Sequence, residues 1–170
     1  VMYEALDLNT ILESEHYADY DRESLDAMLD LCQSLAEDQF LPFAAKLDTN
    51  EPKFVDGKVE TIPEVKEAIN AYREAGLCTS AYDAAIGGMQ LPWMMDQALN
   101  GMFVCANNPV HTYLFLTQGV ANMLNACGSD ELKARYLPKL VEGEWFGTMC
   151  LSETQAGSSL ADIRTKADVR

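Results

Sequence analysis

Positive charge is scarce in this sequence: 12 lysines and arginines stand against 27 aspartates and glutamates in 170 residues, a formal net charge of −15. Such a surface repels phosphate backbones and anionic lipid, which argues against nucleic acid and membrane surfaces as partners. Histidine is scarcer still. His16 and His111 lie far apart, which argues against a zinc site. Cysteines at metal or disulfide spacing are lacking too. Cys32, Cys78, Cys105, Cys127 and Cys150 form no CxxC pair and are odd in number, a pattern of free thiols in a reducing cytoplasm. The most apolar long stretch, 110–127, is interrupted by His111, Thr112, Gln118, Asn122 and Asn125, so it reads as a buried helix and not a membrane span. No basic segment followed by an apolar core opens the chain, so no signal peptide is evident. Internal repeats and low-complexity tracts are lacking as well.

What is present is helix. Apolar residues make up 48% of the chain, enough for a core in one domain, or in one domain plus the beginning of another. In "DRESLDAMLDLCQSLAEDQF", Leu25, Met28, Leu29, Cys32, Leu35 and Ala36 recur three and four residues apart. Pro42 should end or kink this helix, and "FAAKL" can carry it a turn or two further. Asp56-Gly57 marks a tight hairpin. A second helix is bounded by a capping-box pattern at Thr61 and Glu64 and by Gly76, with Val65, Ala68, Ile69 and Tyr72 on one face. After the loop "AAIGGMQLP", Pro92 suits the first turn of a third helix. Asn108-Pro109 is a cap-plus-N1 signal for a fourth, ending at Gly128. Ser129, with Asp130 and Glu131 behind it, caps a fifth.

The character changes after Gly143. "EWFGTMCLSE" is short and apolar, the pattern of a strand, and "TKADVR" is compatible with the start of another. The fold class expected is therefore mainly α: a helical domain over 1–143, then the beginning of a β domain over 144–170. A strand pair at a terminus is seldom stable alone, so the chain reads as the front of something longer.

One stretch carries chemistry. In "MCLSETQAGSS", Gly157 lets a backbone approach a ligand closely, Ala156 is small, and Ser158 and Ser159 offer hydroxyls. Exposed N–H groups at such a turn suit an anion or a carbonyl-rich group. On these residues alone, a plain strand-to-strand loop with serines for solubility is the simpler reading. The wider run "CGSDELKARYLPKLVEGEWFGTMCLSETQAGSSLADIRTKA" adds Gly128, Ser129, Glu131, Lys133, Tyr136, Leu137, Pro138, Leu140, Gly143, Glu144, Gly147, Ser152, Glu153, Thr165 and Ala167 at fixed spacing. This run strongly resembles the acyl-CoA dehydrogenase family. Upstream, "IGGMQLP" is similar to that family's "YGGxGL" loop. The segments "FVDGKVETIP" and "YEALDLNTIL" resemble its longer bacterial branch, which includes methylthiopropanoyl-CoA dehydrogenases.

The resemblance implies an N-terminal helical domain, a β domain and a C-terminal helical bundle, with FAD between the last two. It makes Met149, Cys150, Leu151, Ser152, Ala156, Gly157 and Ser158 the first flavin-binding stretch. The backbone at Leu151 and Ser152 and the Ser152 hydroxyl would face the pyrimidine edge, and Ser158 would lie near the FAD pyrophosphate and the acyl-CoA. The implied reaction is α,β-dehydrogenation of an acyl-CoA thioester in fatty acid metabolism, with an electron-transfer flavoprotein as acceptor and a homo-oligomeric enzyme. Ser159 and Thr154 depart from the family's usual aspartate and proline, which implies a somewhat altered turn. The family's catalytic glutamate would lie beyond Arg170, so no catalytic residue is expected in this chain, and Glu153 is expected to be structural. Two alternatives stay open: an oxidase on the same scaffold, and a non-catalytic helical interaction module. Leu91, Trp93, Met94, Met95 and Met102 could line an acyl channel, although core packing at helical spacing is the simpler reading. His111 reads as a surface or satisfied core residue.

Overall fold

The computed structural model describes residues 1–168. Six α-helices and one hairpin are found there: α1 (Leu8–Leu12), α2 (Arg22–Leu35), α3 (Ala44–Thr49), β1 (Lys53–Val55), β2 (Lys58–Glu60), α4 (Pro63–Glu74), α5 (Trp93–Cys127) and α6 (Asp130–Val141). The mainly helical class is as the sequence implies. Short α1, which buries Leu8 completely, is an addition to it.

Helix α2 starts at a reciprocal cap. The Asp21 carboxylate accepts from the Ser24 N–H at 2.8 Å, and the Ser24 hydroxyl accepts from the Asp21 N–H at 3.0 Å. Pro42 acts as expected. It has no N–H to return to the preceding turn, and the Leu41 N–H instead reaches back five residues to the Ala36 carbonyl in a π turn over Ala36–Phe40. A tight turn over Leu41–Phe43 then feeds α3, the continuation that "FAAKL" suggests. The Phe40 carbonyl freed by this break accepts from the Asn107 side-chain amide at 3.0 Å.

The hairpin pairs Lys53 with Glu60, Phe54 with Val59 and Val55 with Lys58. Asp56 and Gly57 both take positive φ, 49° and 79°, the geometry of a two-residue turn that matches strand twist. All six strand residues are exposed, so the ribbon stands off the core.

Helix α4 corrects one expectation. Pro63 occupies its first turn, and no side chain caps it. The Glu64 carboxylate is drawn away to Lys46 of α3, so the Thr61–Glu64 capping box does not form. Gly76, at φ 75°, stops the helix as predicted.

The third and fourth helices run on as α5 but are separated by a break. Asn107 is non-helical (φ −161°, ψ 83°), one residue earlier than the Asn108 cap expected, and Pro109 follows it. Around this break sits the main core. Phe103 meets Phe40 and Tyr72 edge-on, each at 4.9 Å between ring centroids, and such pairs add about 0.5–1.5 kcal/mol beyond area burial. Leu91 and Met95 are buried in this core, Met94 and Met102 pack against it, and Trp93 points to solvent. A smaller cluster of Tyr82, Ala121, Leu137, Leu140 and Val141 joins the second half of α5 to α6, whose N-terminus Ser129 caps.

The strand expected over 144–153 is not formed. Among the described residues no strand pairs along it, and a strand without a paired neighbour has no ladder. Residues 165–168 are likewise not in a strand, and 169–170 of the second expected strand lie outside the described residues.

Candidate functional site

The segment that leaves α6 is fastened to the helices at its start. Lys139 holds Glu144 at 2.6 Å, and the Lys139 carbonyl accepts from the N–H groups of Glu144 and Trp145 at 2.9 and 3.0 Å. Gly147 donates its N–H to the Thr117 hydroxyl at 3.0 Å, flat against α5. A Cβ at Gly147 would stand 2.6 Å from a Val120 methyl, so only glycine allows this approach.

From Thr148 to Ser152 the backbone makes no such bonds, and Met149, Cys150, Leu151 and Ser152 are all exposed. The chain then turns sharply. Glu153 and Ala156 exchange backbone hydrogen bonds at 2.8 and 3.2 Å, with Thr154 and Gln155 at the tip. Ala156 is buried beneath the turn, while Gly157 and Ser158 are exposed.

The turn is closed from below by the Glu153 carboxylate. It accepts from the Arg164 N–H at 3.0 Å, the Thr165 N–H at 2.9 Å, the Thr165 hydroxyl at 2.5 Å, and the Gln155 amide. The Thr165 hydroxyl and these amide donors hold its pKa at about 2. Glu153 and Thr165, two positions of the motif twelve residues apart, are thus one clasp. The structural role expected for Glu153 is the one it has here.

Several polar groups on the loop are not used by the clasp. Among the described residues, the N–H groups of Leu151, Ser152, Gly157 and Ser158 and the hydroxyls of Ser152, Ser158 and Ser159 find no intramolecular partner. Gly157 lacks positive φ, and a Cβ there would meet open space. Among the described residues nothing demands a glycine at this position, and the backbone there is open to approach.

A second polar constellation was not legible in the sequence. Beneath the main core, Ser80 donates to Asp96 at 2.5 Å, Asn100 donates to Asp96 at 3.0 Å, and His111 Nε2 lies 2.9 Å from Asn100 Oδ1. Because the Asn100 nitrogen is spent on Asp96, its oxygen accepts, so His111 Nε2 is the donor. Burial pushes the His111 pKa down to about 4. Tyr72 adds a long contact to the same Asn100 oxygen at 3.4 Å. His111 is a satisfied core residue. The only sequence signal for this network was polar residues at i, i+4 spacing, which reads more simply as a solvated face.

Residues 22–144 match the family model for the acyl-CoA dehydrogenase N-terminal domain. The chain belongs to the acyl-CoA dehydrogenase family. It is 35% identical to a butyryl-CoA dehydrogenase of Syntrophomonas wolfei, over 96% of this chain and 27% of that protein. It is 32% identical to the broad-specificity linear acyl-CoA dehydrogenase FadE5 of Mycobacterium tuberculosis, over 98% and 27%. A 3-methylmercaptopropionyl-CoA dehydrogenase of Ruegeria pomeroyi matches at 30% identity, over 89% and 26%. This acyl-CoA dehydrogenase-family chain therefore spans about a quarter of the length of these relatives. In structure it is similar to an electron transferring flavoprotein of Acidaminococcus fermentans, with a TM-score of 0.70 at 20% identity, over 89% of this chain and 37% of that one, a likeness of fold. Among the described residues of this family member, no helix is long and apolar enough to cross a membrane.

Proposed function

We propose that this chain is the N-terminal part of an FAD-dependent acyl-CoA dehydrogenase that introduces an α,β double bond into an acyl-CoA thioester. The observation that carries the reading is the clasped 149–158 loop, with its unspent N–H and O–H donors and an exposed glycine that leaves the backbone open to approach. These features fit an FAD edge: the N–H groups of Leu151 and Ser152 and the Ser152 hydroxyl would donate to the pyrimidine side of the ring, with Met149 and Cys150 leading into them. Ala156 and Gly157 would allow close approach, and the Ser158 hydroxyl would reach the pyrophosphate and the acyl-CoA.

Bound FAD supplies the acceptor for the hydride that leaves the substrate β-carbon. Preorganised donors at the pyrimidine edge favour the negative charge that develops there. No carboxylate of this loop is assigned as the base that takes the α-proton. Glu153 has its oxygens filled by four donors and a pKa of about 2, far from the value a general base needs. We place the domain boundary at 143/144, between the α6 exit and the segment fastened to Lys139. The acceptor is an electron-transfer flavoprotein, the assembly is a homo-oligomer, and the unpaired thiols suit a reducing cytoplasm in an enzyme of fatty acid metabolism.

The test is an anaerobic titration of the FAD-loaded full-length enzyme with acyl-CoAs of several chain lengths, following the visible flavin band. Bleaching by one or more of them is expected. A bound flavin that no acyl-CoA reduces would overturn the reaction, and failure to retain FAD at all would overturn the site. Release of peroxide in air at the turnover rate would move the reading to an oxidase.

A further inference from the structure

Away from the loop, a cleft of about 420 Å³ opens between α4, the hairpin and the α6 exit, a size within the range of small-ligand sites. Its walls are apolar: Val59 of the hairpin, Val65 and Ile69 of α4, and the rings of Tyr113 and Phe146. Tyr113 and Phe146 meet edge-on at 6.3 Å and are both partly open to solvent. Along one edge, α4 presents Lys66, Asn70 and Arg73 at i, i+4 and i+7, one stripe about 10 Å long.

Two cations line the cleft in a chain of net charge −15, and among the described residues neither Lys66 nor Arg73 holds a carboxylate within 4.0 Å. Glu144 also lines the cleft, but its carboxylate is occupied by Lys139. Arg73 is fixed in place before any ligand arrives. Its Nε donates to the Glu142 carbonyl at 2.9 Å, one Nη reaches Asn70 at 3.4 Å, and its stem lies where a Cβ on Gly143 would stand 2.8 Å from its Cγ. The remaining guanidinium donors have no partner among the described residues. A preorganised arginine loses little entropy on gripping an oxyanion.

We infer that this cleft binds a small amphipathic carboxylate, its head on Arg73 with the Lys66 charge along the same edge, and its apolar tail against Ile69, Tyr113 and Phe146. The site is separate from the loop proposed for FAD and does not depend on that assignment.

The test is a titration of the full-length enzyme, ¹⁵N-labelled over residues 1–170 by segmental ligation, with sodium octanoate, and with 1-octanol as the uncharged counterpart. Saturable shifts are expected over 61–73, at Tyr113 and over 143–146, with octanoate binding at least about tenfold more tightly than octanol. Lys66→Gln, at an exposed position that leaves the fold intact, should weaken octanoate about threefold, and Arg73→Gln about tenfold. Equal affinity for octanoate and octanol, shifts centred elsewhere, shifts that never saturate, or unchanged affinity in Lys66→Gln and Arg73→Gln would each overturn the inference.

Discussion

Phe103 and Glu153 anchor two regions built on different principles. Around Phe103, aromatic and aliphatic side chains drawn from α1 through α5 form the main core, and a smaller cluster joins α5 to α6. Around Glu153, residues 148–165 bury little beyond Ala156 and keep their shape through one carboxylate and the four donors that fill it. Packing of the first kind makes stability global. Polar clasping of the second kind makes it local, and leaves backbone donors free to serve another molecule.

The contrast can be broken most forcefully at Phe103. Phe103→Ala removes the ring shared by Phe40 and Tyr72 and should cost about 3–5 kcal/mol in urea unfolding, because the surrounding helices cannot collapse into the space. A cost near that of a surface substitution would mean that the body is not one cooperative core.

A smaller effect follows from His111. Its folded pKa, about 4, lies below its unfolded value of about 6.5, so the unfolded chain binds the extra proton first. The stability associated with neutral His111 is complete above about pH 6.5. It is lost progressively as pH falls toward 4, up to about 3 kcal/mol. His111→Gln should flatten the urea midpoint over that window. An unchanged pH slope in His111→Gln would show that the imidazole is not the group being titrated.

The smallest global effect belongs to Glu153. Its depressed pKa means that the clasp is present above the ordinary carboxylate range and lost only as pH falls through about 2. Glu153→Gln should leave the urea midpoint nearly unchanged while abolishing hydrogen-exchange protection of the Arg164 and Thr165 amides at neutral pH. A large loss of global stability instead would erase the distinction between the two regions.

Much of the helical body was legible because its signals are local. Pro42, the Asp56-Gly57 turn, Gly76, Asn108-Pro109 and Ser129 all act on their own neighbours, and periodicity placed Leu25, Val65 and Tyr72 on inward faces. Readings failed where a distant partner competes or is missing. Glu64 leaves its local cap for Lys46, eighteen residues away, and 144–153 has strand composition without a strand beside it. The Ser80–Asp96–Asn100–His111 network is invisible for the same reason: polar residues in a helix advertise solvent unless the fold brings their partners inside. The clasp joins two motif positions whose pairing no periodicity announces. The flavin and acyl-CoA roles of the loop came from family resemblance, since composition alone describes an ordinary turn.

The bond from Asn107 to the Phe40 carbonyl has a consequence for how such a sequence can vary in length. Two helices are interrupted, one at Pro42 and one at Pro109, and the side-chain amide of Asn107 at the second break donates to the carbonyl left free at the first. The bond acts as a registration mark between segments 67 residues apart in the chain. Removing one residue between 104 and 106 would turn the preceding part of α5 by about 100° relative to that mark, carrying Met95, Leu99 and Phe103 off the core. The exposed hairpin carries no such mark, so a change of length there should cost far less than one in the stretch leading to either break.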